Sequence, residues 1–99
     1  MERYTLIQPF INEEGKLTAY PAKRKKKILA LFYLAENLPS DLCCSEKEIN
    51  ALLNTLHTFS DPATLRRELY DYGFLDRAAD GSSYRKGTNP PSFEDFGLT

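Results

Sequence analysis

Apolar positions fall into helical spacing three times along the chain and then switch to short alternating runs. Leu65, Leu69 and Tyr72 stand at i, i+4 and i+7 and predict a helix over residues 62–72, with Asp61 as cap, Pro62 at the first helical position and Gly73 as the left-handed stop. That stripe faces inward, which leaves Ala63, Arg67 and Tyr70 on the opposite face and Arg66 on the flank. Upstream, Ser45-Glu46-Lys47-Glu48 has the form of a capping box, and Ile49, Leu52, Leu53 and Leu56 extend it into a helix over 46–57. The connection 58–60 has the length expected between the two members of a helix-turn-helix. Earlier, Ile28, Leu31, Phe32 and Ala35 give an inward face to a helix over 21–38, which Pro39-Ser40-Asp41 halts. Leu29 and Tyr33 make that helix apolar on a second side, so either the amino-terminal segment or a second copy of the chain must cover it.

Beyond Gly73 the period shortens. Residues 74–78 and 83–86 read as two strands around Asp80-Gly81, a dipeptide suited to a tight hairpin, and 42–44 as a very short strand joining the same sheet. Residues 1–20 carry Leu6, Ile7, Phe10, Ile11, Leu17 and Tyr20, interrupted by Pro9 and the turn signal Asn12-Glu13-Glu14-Gly15. They fit a loose hairpin or a short helix leading into an extended stretch, and Pro9 weighs against a central strand. The tail 87–99, with Pro90-Pro91 and few apolar anchors beyond Phe93, Phe96 and Leu98, is expected to be extended or partly disordered. The order helix, short strand, helix, turn, helix, hairpin predicts an α+β fold of the winged helix-turn-helix type: three helices with a small antiparallel hairpin wing. Its division is a segment 1–20 packing on the first helix, a winged-helix-like domain 21–86 and the tail 87–99.

Composition narrows the class. Ninety-nine residues with 41% apolar and 12% aromatic content make one domain with one modest core. No apolar run approaches the roughly 18 residues of a bilayer span, and Met1-Glu2-Arg3-Tyr4 lacks the order of a secretory signal, so a cytoplasmic location is expected. Cys43 and Cys44 are neighbours, where a bridge would be strained, and are expected as two reduced thiols. With a single histidine, no phosphate-cradling glycine loop and no nucleophile paired with a base motif, a non-catalytic protein without a cofactor is expected.

Charge distribution supplies the candidate chemistry. The net charge is −1, yet Lys23-Arg24-Lys25-Lys26-Lys27 concentrates five cations, and the rest of the chain sums to −6. Cations at a helix amino terminus are unfavourable by about 0.3–1 kcal/mol each. An anion bound there would relieve the repulsion, because backbone N–H groups and lysines can converge on one phosphate. Thr64, Arg66, Arg67 and Tyr70 on the third helix and Arg77, Arg85 and Lys86 on the hairpin complete a candidate set for double-stranded DNA. A plain solvated face accounts for the same residues: Asp61, Glu68 and Asp71 bring the third helix to a formal −1, and Arg67 with Asp71 suits an i, i+4 surface pair. The main rival function is a protein-interaction module or homodimer docking through Leu29 and Tyr33. A thiol-based metal sensor would draw on Asp41, Cys43, Cys44 and His57, but adjacent strand cysteines point to opposite faces, and no metal site is expected.

Several longer motifs coincide with a known pattern. Gly15-Lys16-Leu17, Tyr20-Pro21-Ala22 leading into the basic block, Ser45 to Asn50, Asp61, Leu65 to Arg77, Asp80-Gly81-Ser82 and Tyr84-Arg85 together resemble a bacterial family catalogued only as uncharacterised domain number 2087. The resemblance covers most of the chain and implies an association with transcription regulation, since members occur alone or attached to helix-turn-helix regulators. Cys44 stands where that family often has an aromatic residue, and the proline-bearing tail lies outside the pattern.

Overall fold

Helix α1 (Arg24–Glu36) is the central rod, with Ile28 to Phe32, Leu34 and Ala35 all buried; a helix apolar around so much of its circumference needs cover on more than one side. The computed structural model describes residues 2–98. α1 starts later than its apolar pattern suggests, because Lys23 is extended and its carbonyl accepts the first helical N–H, from Lys27, at 2.8 Å. It stops at Asn37, whose side-chain amide donates to the Tyr33 carbonyl at 2.8 Å.

The amino-terminal segment covers α1 on its second apolar side. Glu2–Phe10 is a 3-10 helical stretch broken at Tyr4, which brings the Tyr4 ring edge-on to Tyr33 at 5.4 Å and buries Ile7 completely. Tyr33 donates its hydroxyl to the Gly15 carbonyl at 2.7 Å, and Leu29 is only 4% exposed. The expectation that Leu29 and Tyr33 serve a partner or homodimer is therefore corrected: the chain's own amino terminus occupies that face. The Asn12–Gly15 turn then reverses the chain, with the Asn12 side-chain oxygen accepting the Glu14 and Lys16 amides, and Ile11 bridges Leu17.

Leu17 reaches across to the linker after helix α2 (Glu46–Asn54), giving its N–H to the Leu56 carbonyl at 2.9 Å and accepting the Thr58 N–H at 3.0 Å. This pairing, with the Thr55 hydroxyl on the Leu52 carbonyl, ends α2 at Asn54, two residues before its apolar spacing runs out at Leu56. At its other end the capping box is complete, as Ser45 Oγ accepts the Glu48 N–H at 3.1 Å and Glu48 Oε1 accepts the Ser45 N–H at 2.9 Å. Those bonds hold the exposed Glu48 carboxyl below the usual carboxylate range. A depressed folded-state pKa means stabilisation present at neutral pH and lost as pH falls through the ordinary carboxylate range and below it. The stability difference between the protein and a Glu48→Gln variant, followed by urea unfolding, should accordingly shrink on acidification.

The α2–α3 turn places Ser60 at φ 54°, the left-handed region, where a side chain is strained. Ser60→Gly should stabilise the protein by about 0.5–1 kcal/mol, read as a rise in urea midpoint with unchanged slope. Helix α3 (Pro62–Asp71) follows, with Asp61 Oδ1 accepting the Thr64 N–H at 3.3 Å and Leu65 and Leu69 fully buried. Gly73, at φ 90°, closes it and turns the chain into the hairpin.

Strands β1 (Cys43–Cys44), β2 (Leu75–Arg77) and β3 (Tyr84–Lys86) form an antiparallel sheet in the order β1-β3-β2. Cys44 and Arg77 lie opposite Tyr84, Cys43 and Asp76 opposite Arg85, and Leu75 opposite Lys86. Period-two alternation therefore sets Tyr84, Lys86, Leu75 and Arg77 on one face and Arg85, Asp76 and Cys43 on the reverse. The tail continues back onto the core instead of running extended. Phe93 stacks on Phe32 at 4.2 Å, Glu94–Phe96 forms one 3-10 turn, and Phe96 meets the Phe32 and Phe74 rings at 5.9 and 6.4 Å. The result is an α+β fold. Among the described residues no helix is long and apolar enough to cross a membrane.

Candidate functional site

Three guanidinium groups converge where α3 meets the sheet. Arg66, Arg67 and Tyr70 of α3 and Arg77 and Tyr84 of the hairpin line a cleft of about 300 Å³, with Glu46 and Asp71 on its walls. Arg77 reaches it because β2 register places its side chain on the Tyr84 face, and its guanidinium lies 4.7 Å from the centre of the half-open Tyr70 ring. Arg67 is exposed, and no ion pair joins it to Asp71 among the described residues. Arg66 is half-buried and committed to the neighbouring helix: Nη1 donates to Asn50 Oδ1 at 2.6 Å, Nη2 lies 3.9 Å from Glu46 Oε1, and the group sits over Tyr84. It fixes α3 against α2 while lending its charge to the cleft.

The acidic residues of α3 are unequal once placed. Asp61 is used as the helix cap, and Glu68 accepts the Tyr20 hydroxyl at 2.9 Å with Lys27 Nζ 3.9 Å away. Burial, followed by the Glu68 bond and charge, pushes the Tyr20 phenol far above its ordinary value, so it stays a donor. Only Asp71 is left to face solvent beside Arg67, so the exposed side of α3 balances one cation against one anion rather than carrying the net acidic charge suggested by its composition.

The remaining predicted residues are dispersed. Lys23, Arg24 and Lys25 are exposed at the start of α1, while Lys26 and Lys27 are half-buried, the latter two over Phe10 at 6.0 Å and Tyr20 at 5.5 Å. Because Lys27 pairs with Glu68, this block borders the flank of α3 about 160° around the axis from Arg66 at ~100° per residue. Thr64 is exposed on the α3 surface between the flanks. Arg85 projects from the reverse of the sheet, away from the cleft. Lys86 turns inward and donates to the Ala35 carbonyl at the end of α1, so the expectation that it contacts nucleic acid is corrected. Strand alternation from Tyr84 was the signal that could have placed it; nothing in the sequence pairs Asn50 or Glu46 with Arg66.

Of the residues considered for metal, His57 is engaged elsewhere, while Cys43 is a free, exposed thiol. His57 is buried, accepting the Asp61 N–H on Nε2 at 2.9 Å, and its Nδ1 therefore carries the proton donated to the Leu53 carbonyl at 2.6 Å. Burial, with Glu48 and Cys43 contributing, raises the Cys44 thiol pKa, which disfavours the thiolate a metal requires. Among the described residues no three His, Cys, Asp or Glu side chains group as metal ligands.

A family model described as an uncharacterized protein conserved in bacteria, domain of unknown function 2087, matches residues 16–86. No curated protein and no solved structure matches the chain significantly. The matched span runs from the Leu17 crossover to the end of β3 and contains the whole arginine cleft, leaving out Glu2–Phe10 and the tail.

Proposed function

We propose that this chain, which belongs to the bacterial family of uncharacterised domain 2087, is a non-catalytic, cytoplasmic winged-helix module that binds double-stranded DNA in transcription regulation. The observation that carries the reading is the convergence of Arg66, Arg67 and Arg77 on one cleft beside the exposed face of α3. The winged-helix assignment is supported by element order, with β1 joining β3 so that the hairpin forms the sheet edge next to α3. In this arrangement α3 faces the major groove, Arg67, Tyr70 and Thr64 reach base edges or phosphates, and Arg77 holds the backbone beside the wing. Lys23, Arg24 and Lys25 serve phosphates along the other flank. Guanidinium suits the role because it presents a planar fork of donors to a phosphate.

The test is the salt dependence of duplex binding by the full chain. Neutralising four to six phosphates predicts a slope of log affinity against log salt of about −4 to −5. A slope near zero, or no binding to mixed-sequence duplexes at about 50 mM salt, would overturn the proposal.

A further inference from the structure

We infer that a second cavity, at the other end of β3 from the arginine cleft, binds a small monocarboxylic acid with a flat apolar body, its carboxylate held by Lys86. This inference stands independently of DNA binding. The cavity, about 200 Å³, is walled by Phe32 and Ala35 of α1, Phe74, and Pro90 and Pro91 of the tail, with Lys86 as its cation. Cavities of about 150 Å³ with such walls accept a benzene ring, so this one has room for a ring and a carboxylate.

The ammonium is what makes the site selective. Lys86 is half-buried, and its protein hydrogen-bond partner is the neutral Ala35 carbonyl, which engages one of its three donors. Among the described residues it has no carboxylate within 4.0 Å. Burial lowers its pKa, with Glu36 opposing, which is the signature of a charge inadequately compensated by its surroundings. A ligand carboxylate supplies that compensation with charge-assisted bonds. Glu36 also lies at the rim, accepting the Tyr4 hydroxyl at 2.5 Å, and its negative charge restricts the ligand to a single carboxylate. The tail is part of the site rather than a cover added to it, because Phe93 and Phe96 pin Pro90 and Pro91 against α1 through Phe32.

Calorimetric titration of the full chain with benzoate, benzyl alcohol and phthalate tests this directly. Benzoate should saturate one site at least about 10-fold more tightly than benzyl alcohol or phthalate, and amide spectra should show Gly87 and Ala35 shifting. Lys86→Met should weaken benzoate at least about 10-fold, and Ala35→Leu, which fills the cavity while keeping the lysine, should do the same. No saturable benzoate binding, equal affinity for benzyl alcohol, or undiminished binding by a folded Lys86→Met or Ala35→Leu protein would overturn the inference. Should Lys86→Met fail to fold, the three-ligand comparison and Ala35→Leu decide it.

Discussion

Replacing Arg67 and Arg77 together by alanine should weaken duplex binding about 10- to 100-fold at ~0.1 M salt and reduce the magnitude of the salt slope by about 2. Both side chains are exposed, and neither makes an ion pair among the described residues, so their removal takes charge from the cleft without breaking a salt bridge. Arg77 does lie over Tyr70, but an exposed cation–π contact is worth only about 0.5–1 kcal/mol, too little to unfold the domain. Arg66 is the wrong residue for this experiment. Its bonds to Asn50 and Glu46 tie α3 to α2, and Arg66→Ala would confound binding with stability. Arg85→Ala supplies the control, because strand register turns that residue to the opposite face of the sheet; it should leave the slope unchanged. A filter-binding or fluorescence anisotropy series across salt measures all three.

The largest effect on stability is expected from His57→Ala, at about 2–4 kcal/mol. The imidazole is 3% exposed and packs edge-on to Phe59 at 4.5 Å. Its two nitrogens also join the end of α2 to the start of α3, through the Leu53 carbonyl and the Asp61 amide. Alanine would leave the Asp61 amide without its acceptor, take one of two donors from the Leu53 carbonyl, which keeps the Leu56 N–H, and open a cavity between the two helices. The amide it releases belongs to the residue that caps α3, so the amino-terminal turn of α3 should show the earliest loss of hydrogen-exchange protection. At about 4–8 °C per kcal/mol for a domain of this size, the melting temperature should drop by roughly 10–25 °C. A loss below about 1 kcal/mol would show that the linker holds itself without the ring.

What could be read from the sequence followed how local its causes are. The capping box at Ser45, the Asp61 cap and the Gly73 stop are decided within four residues of chain, and each is present. The early end of α2 depends on Leu17, some forty residues upstream, which no spacing rule could couple to Leu56 and Thr58. Circumferential apolarity of α1 showed that a second covering layer was needed, and either the amino terminus or another copy of the chain would have satisfied that pattern. In the candidate site, helical spacing placed Arg67 and Tyr70 toward solvent, but Arg77 joined them only through sheet register. The charge of α3 was misleading for the same reason. Summed along the sequence it is acidic, whereas Glu68 is turned to Lys27 of α1 and accepts the Tyr20 hydroxyl from the segment before it. Lys86 was the clearest miss, since two residues from buried Tyr84 it had to share that inward face.

Amide chemical-shift mapping of the full chain during titration with a duplex tests the central claim most directly. The account predicts that Ala63, Thr64, Arg67, Tyr70, Asp71 and Arg77 shift together in a salt-sensitive manner while Arg85 and Cys43, on the reverse of the sheet, stay fixed. Shifts confined to the reverse face or to Glu2–Phe10, or an α3 surface indifferent to DNA, would contradict it.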